Sequence, residues 1–137
     1  MKYLILVFLC LSVTACSSPS KSLYQDIGGK ETLSKVFGLA ISRIYNDPEI
    51  GHYFKDVPKK HLRMQLTNQV CELIGGPCKY EGEKMTTSHK GLNITDAEFF
   101  LLVEYVQSAM RDIGLNSKQE NLILQKLAPL KSQIVYR

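Results

Sequence analysis

The sequence lacks the motifs of most common enzyme classes. It has no glycine-rich phosphate loop after a strand, no serine-centred nucleophile elbow and no close pair of carboxylates with apolar flanks. Nucleotide-binding and hydrolase functions therefore have no support. No group of cysteines and histidines has the spacing of a zinc site either. The net charge is only +4 and the basic residues are scattered, so nucleic acid is not an expected partner.

Long apolar runs are also scarce, and the one at the N-terminus is too short to cross a bilayer comfortably. Lys2 precedes a nearly unbroken apolar run over residues 3–13. The run ends in the sequence VTAC at residues 13–16, which resembles a bacterial lipoprotein signal. That resemblance implies cleavage before Cys16 and lipidation of its thiol. An ordinary signal peptide cleaved after Ala15 is the alternative.

A polar segment follows the leader and has the composition of a tether. The predicted organisation is a signal peptide over residues 1–15, a tether from lipidated Cys16 over residues 16–22, and a single domain over residues 23–137. Ser17, rather than an aspartate, follows the cysteine and favours the outer membrane. We therefore expect a lipid-anchored protein of the cell envelope, at the periplasmic face of the outer membrane.

Only four cysteines are present. Cys10 lies in the predicted signal peptide, and Cys16 is the predicted lipidation site. Cys71 and Cys78 remain as an isolated pair. In an oxidising compartment these two can form a disulfide that braces the bend between them. The alternative is that both are buried free thiols, and the sequence favours neither the disulfide nor the free thiols.

No alternating strand pattern or hairpin turn is present, so the domain is predicted to be all-α. Apolar residues recur at helical spacing over residues 30–46, and Pro48 ends that helix. Asp56 and Pro58 predict the N-cap and first turn of a helix that runs to Ile74.

Two more helices have their own start signals. Capping boxes are predicted to begin at Thr95 and at Ser117. Gly114 ends the first of these helices. Pro129 is expected to bend the second helix rather than end it.

The helix after Pro58 has two distinct faces. One is apolar and the other, turned by about 100°, is polar. The apolar face contains Leu62, Leu66, Val70 and Ile74, and the polar face contains His61, Gln65 and Gln69. The polar face can offer hydrogen bonds to a ligand, or it can be an ordinary solvated surface.

A glycine-rich stretch over residues 75–94 contains one short predicted helix, residues 85–90, and one histidine. His89 is the next-to-last residue of this predicted helix, and Gly91 comes directly after the helix. Glycines free the backbone to bend, so loops on both sides can aim the short helix. His89 is a candidate metal ligand, and a hydrogen-bonded surface histidine is the alternative.

Several short motifs, taken in order and spacing, resemble the truncated (two-on-two) haemoglobins, most closely their first group. They are Leu23-Tyr24 with Ile27-Gly28-Gly29, Asp47-Pro48 before Tyr53-Phe54, Gly75-Gly76-Pro77 with Tyr80 and Gly82, Met85 with His89, Gly91-Leu92, Ile94-Thr95, Phe99, and Ala128-Pro129-Leu130. The resemblance implies a two-on-two helical sandwich around iron-containing haem. Because no Cys-x-x-Cys-His is present, we expect non-covalent haem b rather than c-type attachment.

The same resemblance implies a set of haem contacts. His89 corresponds to the proximal ligand of the iron, and Phe54 to an aromatic ring packed flat on the porphyrin. The remaining implied contacts are Leu62 and Leu66 on the distal side and Met85, Ile94 and Phe99 on the proximal side. His52 and His61 lack flanking glycines and are expected on the surface.

The sequence departs from the family pattern on the distal side. Many members carry a tyrosine on the second helix, and Ile41 occupies that position here. An isoleucine cannot donate a hydrogen bond to a bound gas. The donor is then Gln65, Gln69 or Tyr45, or the pocket has no strong donor and releases dioxygen fast.

The resemblance implies reversible binding of a diatomic gas, namely dioxygen, nitric oxide or carbon monoxide. Whether the protein is also an enzyme is left open by the resemblance. The two candidate reactions are oxidation of nitric oxide to nitrate and peroxidase-like chemistry. The nitric oxide reaction requires an external reductase, since no flavin or nicotinamide motif is present. The alternative is a lipid-anchored helical interaction module, or a haem-trafficking module, without gas chemistry.

Overall fold

The computed structural model describes residues 21–137, and the predicted signal peptide and lipidation site at Cys16 lie outside them. Within this range the chain is helical without strands, which confirms the all-α prediction. The helices are α1 (Leu23–Asp26), α2 (Gly29–Ile44), α3 (Lys59–Leu73), α4 (Met85–Ser88), α5 (Asp96–Ile113) and α6 (Ser117–Leu127), with 3-10 helices at Gly51–Phe54 and Ala128–Gln133. None of the helices in residues 21–137 is long and apolar enough to span a membrane.

Helix α2 is the centre of the core. It packs against both α3 and α5, while α6 packs against α3. The apolar side chains of α2 recur every three or four residues, which places them on one broad face. That face contains Leu33, Val36, Phe37, Ala40, Ile41 and Ile44, each at most 3% exposed. Its burial on both sides holds the two helical layers together.

Polar contacts fix how these layers are oriented. Arg43 of α2 donates hydrogen bonds to Ser108 (2.9 Å) and Asp112 (2.5 Å) of α5. Gln119 of α6 donates from Nε2 to the Asp26 carboxylate at 2.9 Å, which connects α6 to the end of α1. These contacts join segments far apart in sequence, so they stabilise the arrangement rather than any single helix.

Of the two predicted capping boxes, one is confirmed and the other is shifted by one residue. Thr95 and Glu98 form the predicted capping box of α5. At α6 the cap is Asn116 instead of Ser117, because the Asn116 side chain accepts the backbone N–H of Gln119 at 3.0 Å. Asparagine and serine are equally good N-caps, so the sequence alone cannot decide whether α6 begins after Asn116 or after Ser117.

Prolines account for two further differences. At α3 the N-cap is Pro58 rather than Asp56, and no side chain caps the helix. Helix α6 stops at Leu127, and the chain continues as a 3-10 helix, so Pro129 ends the α-helix instead of bending it. Proline has no N–H to donate to the carbonyl four residues earlier, so Pro129 cannot continue the α-helical hydrogen bonds of α6.

A disulfide joins Cys71 in the last turn of α3 to Cys78, with a Cα–Cα distance of 5.7 Å. The bend between them is tightened by a 2.7 Å hydrogen bond from the Gly76 N–H to the Cys71 carbonyl. The cross-link therefore fixes the start of the long loop that leads to α4.

Candidate functional site

A large, mostly apolar cleft opens between α3 on one side and α4, α5 and the C-terminal segment on the other. Its volume is about 800 Å³, which falls at the upper end of the range for small-molecule and cofactor sites. Every predicted haem contact lines this cleft: Phe54, Leu62, Leu66, Met85, His89, Ile94 and Phe99. The structure thus brings together seven side chains that the sequence spreads over four segments.

His89 is placed at the C-terminus of α4 and is held in one orientation. Its Nδ1 atom lies 2.8 Å from the Met85 carbonyl oxygen and 3.0 Å from the Ser88 Oγ atom. A carbonyl can only accept a hydrogen bond, so we assign the proton of the neutral ring to Nδ1. The Nε2 atom then has a free lone pair, as a metal ligand requires.

The chain around His89 explains why α4 is so short. Gly91 has a φ of +81°, and Asn93 has a φ of 50°, so the backbone turns sharply after the histidine. The next residues pair with the C-terminus, where the Asn93 N–H donates to the Arg137 carbonyl and the Tyr136 N–H to the Ile94 carbonyl. The C-terminal segment therefore supports the loop that carries His89.

The opposite wall is formed by α3. Both faces predicted for this helix contribute, because the cleft is lined by Leu62 and Leu66 together with His61, Gln65 and Gln69. His61 is exposed, as predicted, yet it also lies at the rim of the cleft. The polar face is therefore not an ordinary solvated surface.

Gln69 is the most enclosed polar side chain of this wall, with 8% of its surface exposed. Its amide makes no side-chain hydrogen bond within the described part of the chain, and its polar atoms are not among the fully buried ones without a partner, so the amide is reachable from the cleft. Gln65 also lines the cleft and is half-buried. The wall thus offers an unused hydrogen-bond donor at Gln69.

The other two distal candidates lie outside the cleft. The Tyr45 hydroxyl donates its only proton to the Val57 carbonyl at 2.5 Å, so Tyr45 is not available as a donor to a ligand. Ile41 is 2% exposed and lies beside a separate groove between α2 and α3. Among the candidate donors the structure therefore favours the glutamines of α3 over Tyr45.

Tyr53 and Glu98 link two walls of the cleft. The Tyr53 hydroxyl donates to Glu98 Oε1 at 3.0 Å, and Glu98 also accepts from the backbone and side chain of Thr95. Hydrogen bonds from Thr95 and then from Tyr53 lower the pKa of the Glu98 carboxyl. Burial, followed by the Glu98 contact, raises the pKa of Tyr53.

Sequence reasoning missed part of the lining. Residues of α2 and α5 that were predicted only as core also face the cleft, namely Phe37, Ala40, Ile44, Val103 and Val106. Their helical spacing places Val103 on the same face as Phe99, so that signal was available. Tyr80 lines the cleft from the loop after the disulfide, and no periodic pattern marks it.

Comparison with known proteins identifies relatives over most of the chain. The chain is 29% identical over 113 residues to the group 1 truncated haemoglobin GlbN of Mycolicibacterium paratuberculosis, covering 82% of this chain and 83% of that protein. It is 27% identical over 95 residues to the group 1 truncated haemoglobin of Tetrahymena pyriformis, covering 69% and 78% of the two chains.

Solved structures have the same fold. The ferric truncated haemoglobin of Tetrahymena pyriformis superposes with a TM-score of 0.81 at 23% identity, over 85% of this chain and all of that one. A truncated haemoglobin of Chlamydomonas reinhardtii gives a TM-score of 0.72 at 27% identity, over 83% and 94% of the two chains. The profile of the bacterial-like globin family matches residues 22–136, and the chain belongs to that family.

Proposed function

We propose that the protein binds haem in the cleft through His89 and thereby binds a diatomic gas reversibly. The observation that carries this proposal is the hydrogen bond from His89 Nδ1 to the Met85 carbonyl oxygen, 2.8 Å long. It leaves Nε2 as the ring nitrogen with a free lone pair, at the wall of the large cleft. Membership of the globin family supports haem as the group that the lone pair meets.

The residues present fit haem in both shape and chemistry. A flat apolar macrocycle needs dry walls and one axial nitrogen whose ring is fixed by a second contact. The cleft is large enough at about 800 Å³ and is lined mainly by aliphatic and aromatic side chains. His89 supplies the nitrogen, and Met85 and Ser88 fix its ring.

Haem held by His89 would supply an iron centre that can bind a small gas. The chain itself determines how that gas is held. Leu62 and Leu66 keep water from the distal space, since their side chains are apolar. Gln69 is the donor that we assign to the gas, because the residue is largely buried in the cleft wall and its amide makes no side-chain hydrogen bond in the described residues. Gln65 is the second candidate.

A single amide donor would slow release of the gas only modestly, because one hydrogen bond contributes about 0.5–1.5 kcal/mol. Continuous oxidation of nitric oxide to nitrate is the enzymatic extension of this proposal, and each cycle then needs an electron from a separate protein. Non-covalent haem b is the expected form.

Anchoring through Cys16 would place this activity at the membrane. Incorporation of labelled palmitate that is lost in Cys16→Ser would support this anchoring.

The test is an absorption spectrum of ferric, ferrous and CO-bound protein after haem is added. We expect a Soret band in the native protein and loss of the axial histidine bond in His89→Ala, with rescue by added imidazole. His52→Ala is the matched control, because His52 is an exposed histidine stacked on Tyr53 and should leave all three spectra unchanged. An unaltered iron–histidine stretch in His89→Ala would contradict the proposal.

The haem-trafficking alternative predicts a different result. A trafficking module gives up haem readily, so haem would pass to excess apomyoglobin within seconds to minutes. A gas-binding globin retains it much longer. Lack of a Soret band in the native protein would favour an interaction module instead.

A further inference from the structure

The start of α3 presents a strongly positive surface. Four cations lie within residues 55–63, and we call Lys55, Lys59, Lys60 and Arg63 the basic patch. All four are exposed. The ion pairs found in residues 21–137 involve other cations, so in the described part of the chain no carboxylate oxygen lies within 4 Å of the charged nitrogens of these four side chains. The exposed Asp56 also lies in this segment, so residues 55–63 carry a net charge of +3. Its charge is therefore directed to solvent.

Two of these cations are held in place before any partner arrives. Arg63 donates to the Ser34 Oγ atom from Nε at 3.0 Å and from Nη2 at 2.7 Å. The Lys59 Nζ atom lies 5.0 Å from the centroid of the Tyr45 ring, within range of a cation–π contact. Side chains that are already ordered lose less entropy when a partner binds.

The two lysines also oppose the stability of their own helix. Lys59 and Lys60 occupy the first turn of α3, where the helix dipole is positive and acidic residues are preferred. That turn has no acidic residue and no side-chain cap, whereas α5 and α6 both begin with capping boxes. Lys60 has no compensating contact in the described residues, and Lys59 has only its cation–π contact with Tyr45. The placement of both lysines therefore indicates a role toward another molecule.

The patch adjoins the proposed haem site. His61 and Leu62 line the cleft, and in the sequence they lie between the patch residues Lys60 and Arg63. On its other side the patch borders a shallow groove, where Lys59, Lys60 and Arg63 surround Ile41 of α2. A protein bound to the patch would therefore lie within about one helical turn of the cleft wall.

We propose that the basic patch docks an acidic one-electron carrier protein that reduces the haem iron. This inference rests on the proposed function and specifies the external reductant that continuous turnover requires. One electron leaves the carrier and converts ferric iron to ferrous iron, and no bond to hydrogen or oxygen changes. The chemistry of the partner is set by charge complementarity, because four unpaired cations meet an acidic surface around the carrier's flavin or iron–sulfur centre.

The test uses reduced flavodoxin as the acidic carrier and follows reduction of the ferric protein under carbon monoxide by stopped flow. Lys59→Glu combined with Lys60→Glu reverses the patch. Lys30→Glu combined with Lys118→Glu is the control: it changes the net charge equally and also replaces lysines in the first turns of helices, namely α2 and α6. At low ionic strength we expect the patch variant to be reduced at least tenfold more slowly and the control less than twofold.

Added salt should slow the native protein and the control while leaving the patch variant nearly unaffected. Equal losses in both variants, or no loss in either, would overturn the proposal. Binding to phosphatidylglycerol vesicles is measured in parallel. Loss of vesicle binding in the patch variant with an unchanged reduction rate would overturn carrier docking and assign the patch to a membrane surface.

A readout that does not need haem separates this inference from the proposed function. In amide NMR spectra, flavodoxin should shift the signals of residues 55–63 in the native protein and not in the patch variant. If the protein takes up no haem, these shifts still decide whether the patch docks an acidic protein. Shifts spread over the whole surface would contradict a defined docking site.

Discussion

The hydroxyl of Tyr53 donates a 3.0 Å hydrogen bond to the Oε1 atom of Glu98, and so joins the 3-10 helix at Gly51–Phe54 to the first turn of α5. Glu98 uses its other oxygen to accept from the backbone N–H and the hydroxyl of Thr95, both at 2.8 Å. One carboxylate therefore caps a helix and connects two walls of the cleft. Both interactions depend on the ionised form.

This arrangement predicts acid-sensitive stability. The hydrogen bonds from Thr95 and Tyr53 lower the pKa of Glu98 below its ordinary value of 4.5. A lowered pKa in the folded state means that the contribution is present above the unfolded value and is lost as the pH falls through the folded value. We expect the melting temperature to fall below about pH 4.5, and Glu98→Gln to reduce that dependence.

Thermal melts between pH 7 and pH 3, followed by circular dichroism, would measure this effect. Glutamine keeps one acceptor oxygen for the Thr95 groups, and its NH2 group can donate to the Tyr53 hydroxyl oxygen, so the fold is retained in the variant. Asp112→Asn serves as a comparison on the same helix, because Asp112 pairs with Arg43 away from the cleft. An unchanged pH profile in Glu98→Gln would contradict the prediction.

Gln69 should control how fast the bound gas leaves. If its amide donates to the gas, Gln69→Leu removes a hydrogen bond worth about 0.5–1.5 kcal/mol, and dioxygen should dissociate roughly 3- to 10-fold faster. The iron–CO stretch should shift in the same variant. Gln65→Leu is the comparison, since Gln65 is less enclosed.

The haem-free form provides a second measurement. Gln69 is buried without a side-chain partner in the described residues, so leucine should not lower the melting temperature of the haem-free protein. A large loss of stability would mean that the amide has a structural role instead. An effect on gas release from Gln65→Leu alone would assign the donor to Gln65.

Local signals marked some of the site residues, and the resemblance to the truncated haemoglobins implied their roles as haem contacts. The flanking glycines and the short helix marked His89, and the two faces of α3 marked Leu62, Leu66, Gln65 and Gln69. Helical periodicity fixes which residues share a face, so both walls of the cleft were accessible to prediction.

Side-chain partners over long distances were not accessible in this way. Nothing in the sequence shows that the Tyr45 hydroxyl is used by Val57, because that contact depends on how the loop after α2 folds back. The contact between Tyr53 and Glu98 likewise joins residues that are 45 positions apart. The alternative caps Asn116 and Ser117 differ too little in energy for sequence alone to decide.

Gly76 is expected to be intolerant of any side chain. A Cβ atom there would lie 2.5 Å from the Tyr24 ring and 2.6 Å from the Cys71 Sγ atom, neither of which can move freely. Gly76→Ala should therefore lower the free energy of unfolding by about 2–3 kcal/mol or more. Urea denaturation would measure the change.

Gly75 provides the matched control for this overlap. Its φ is +84°, but a Cβ atom would meet nothing within 4 Å. Gly75→Ala should cost only the left-handed backbone strain, about 1 kcal/mol. Equal costs at the two positions would mean that backbone strain, and not overlap with Tyr24 and Cys71, decides the effect.

The disulfide between Cys71 and Cys78 should support both stability and haem retention. It closes a short loop, with a sequence separation of 7, and the chain-entropy estimate for such a loop is about 2.5 kcal/mol. The loop that it fixes continues to Tyr80, whose N–H donates to Glu72 at 3.2 Å and whose side chain lines the cleft. Cys71→Ala combined with Cys78→Ala should therefore unfold at lower temperature and transfer haem to apomyoglobin several-fold faster.

Dithiothreitol distinguishes the cross-link from the packing of the sulfur atoms. Reduction breaks the S–S bond while keeping both side chains, so the reduced native protein should release haem as fast as the double variant does. Dithiothreitol should have no effect on the double variant itself. If reduction leaves haem transfer unchanged while the double variant releases haem faster, the buried Cys71 side chain supports the cleft through packing, and the disulfide does not.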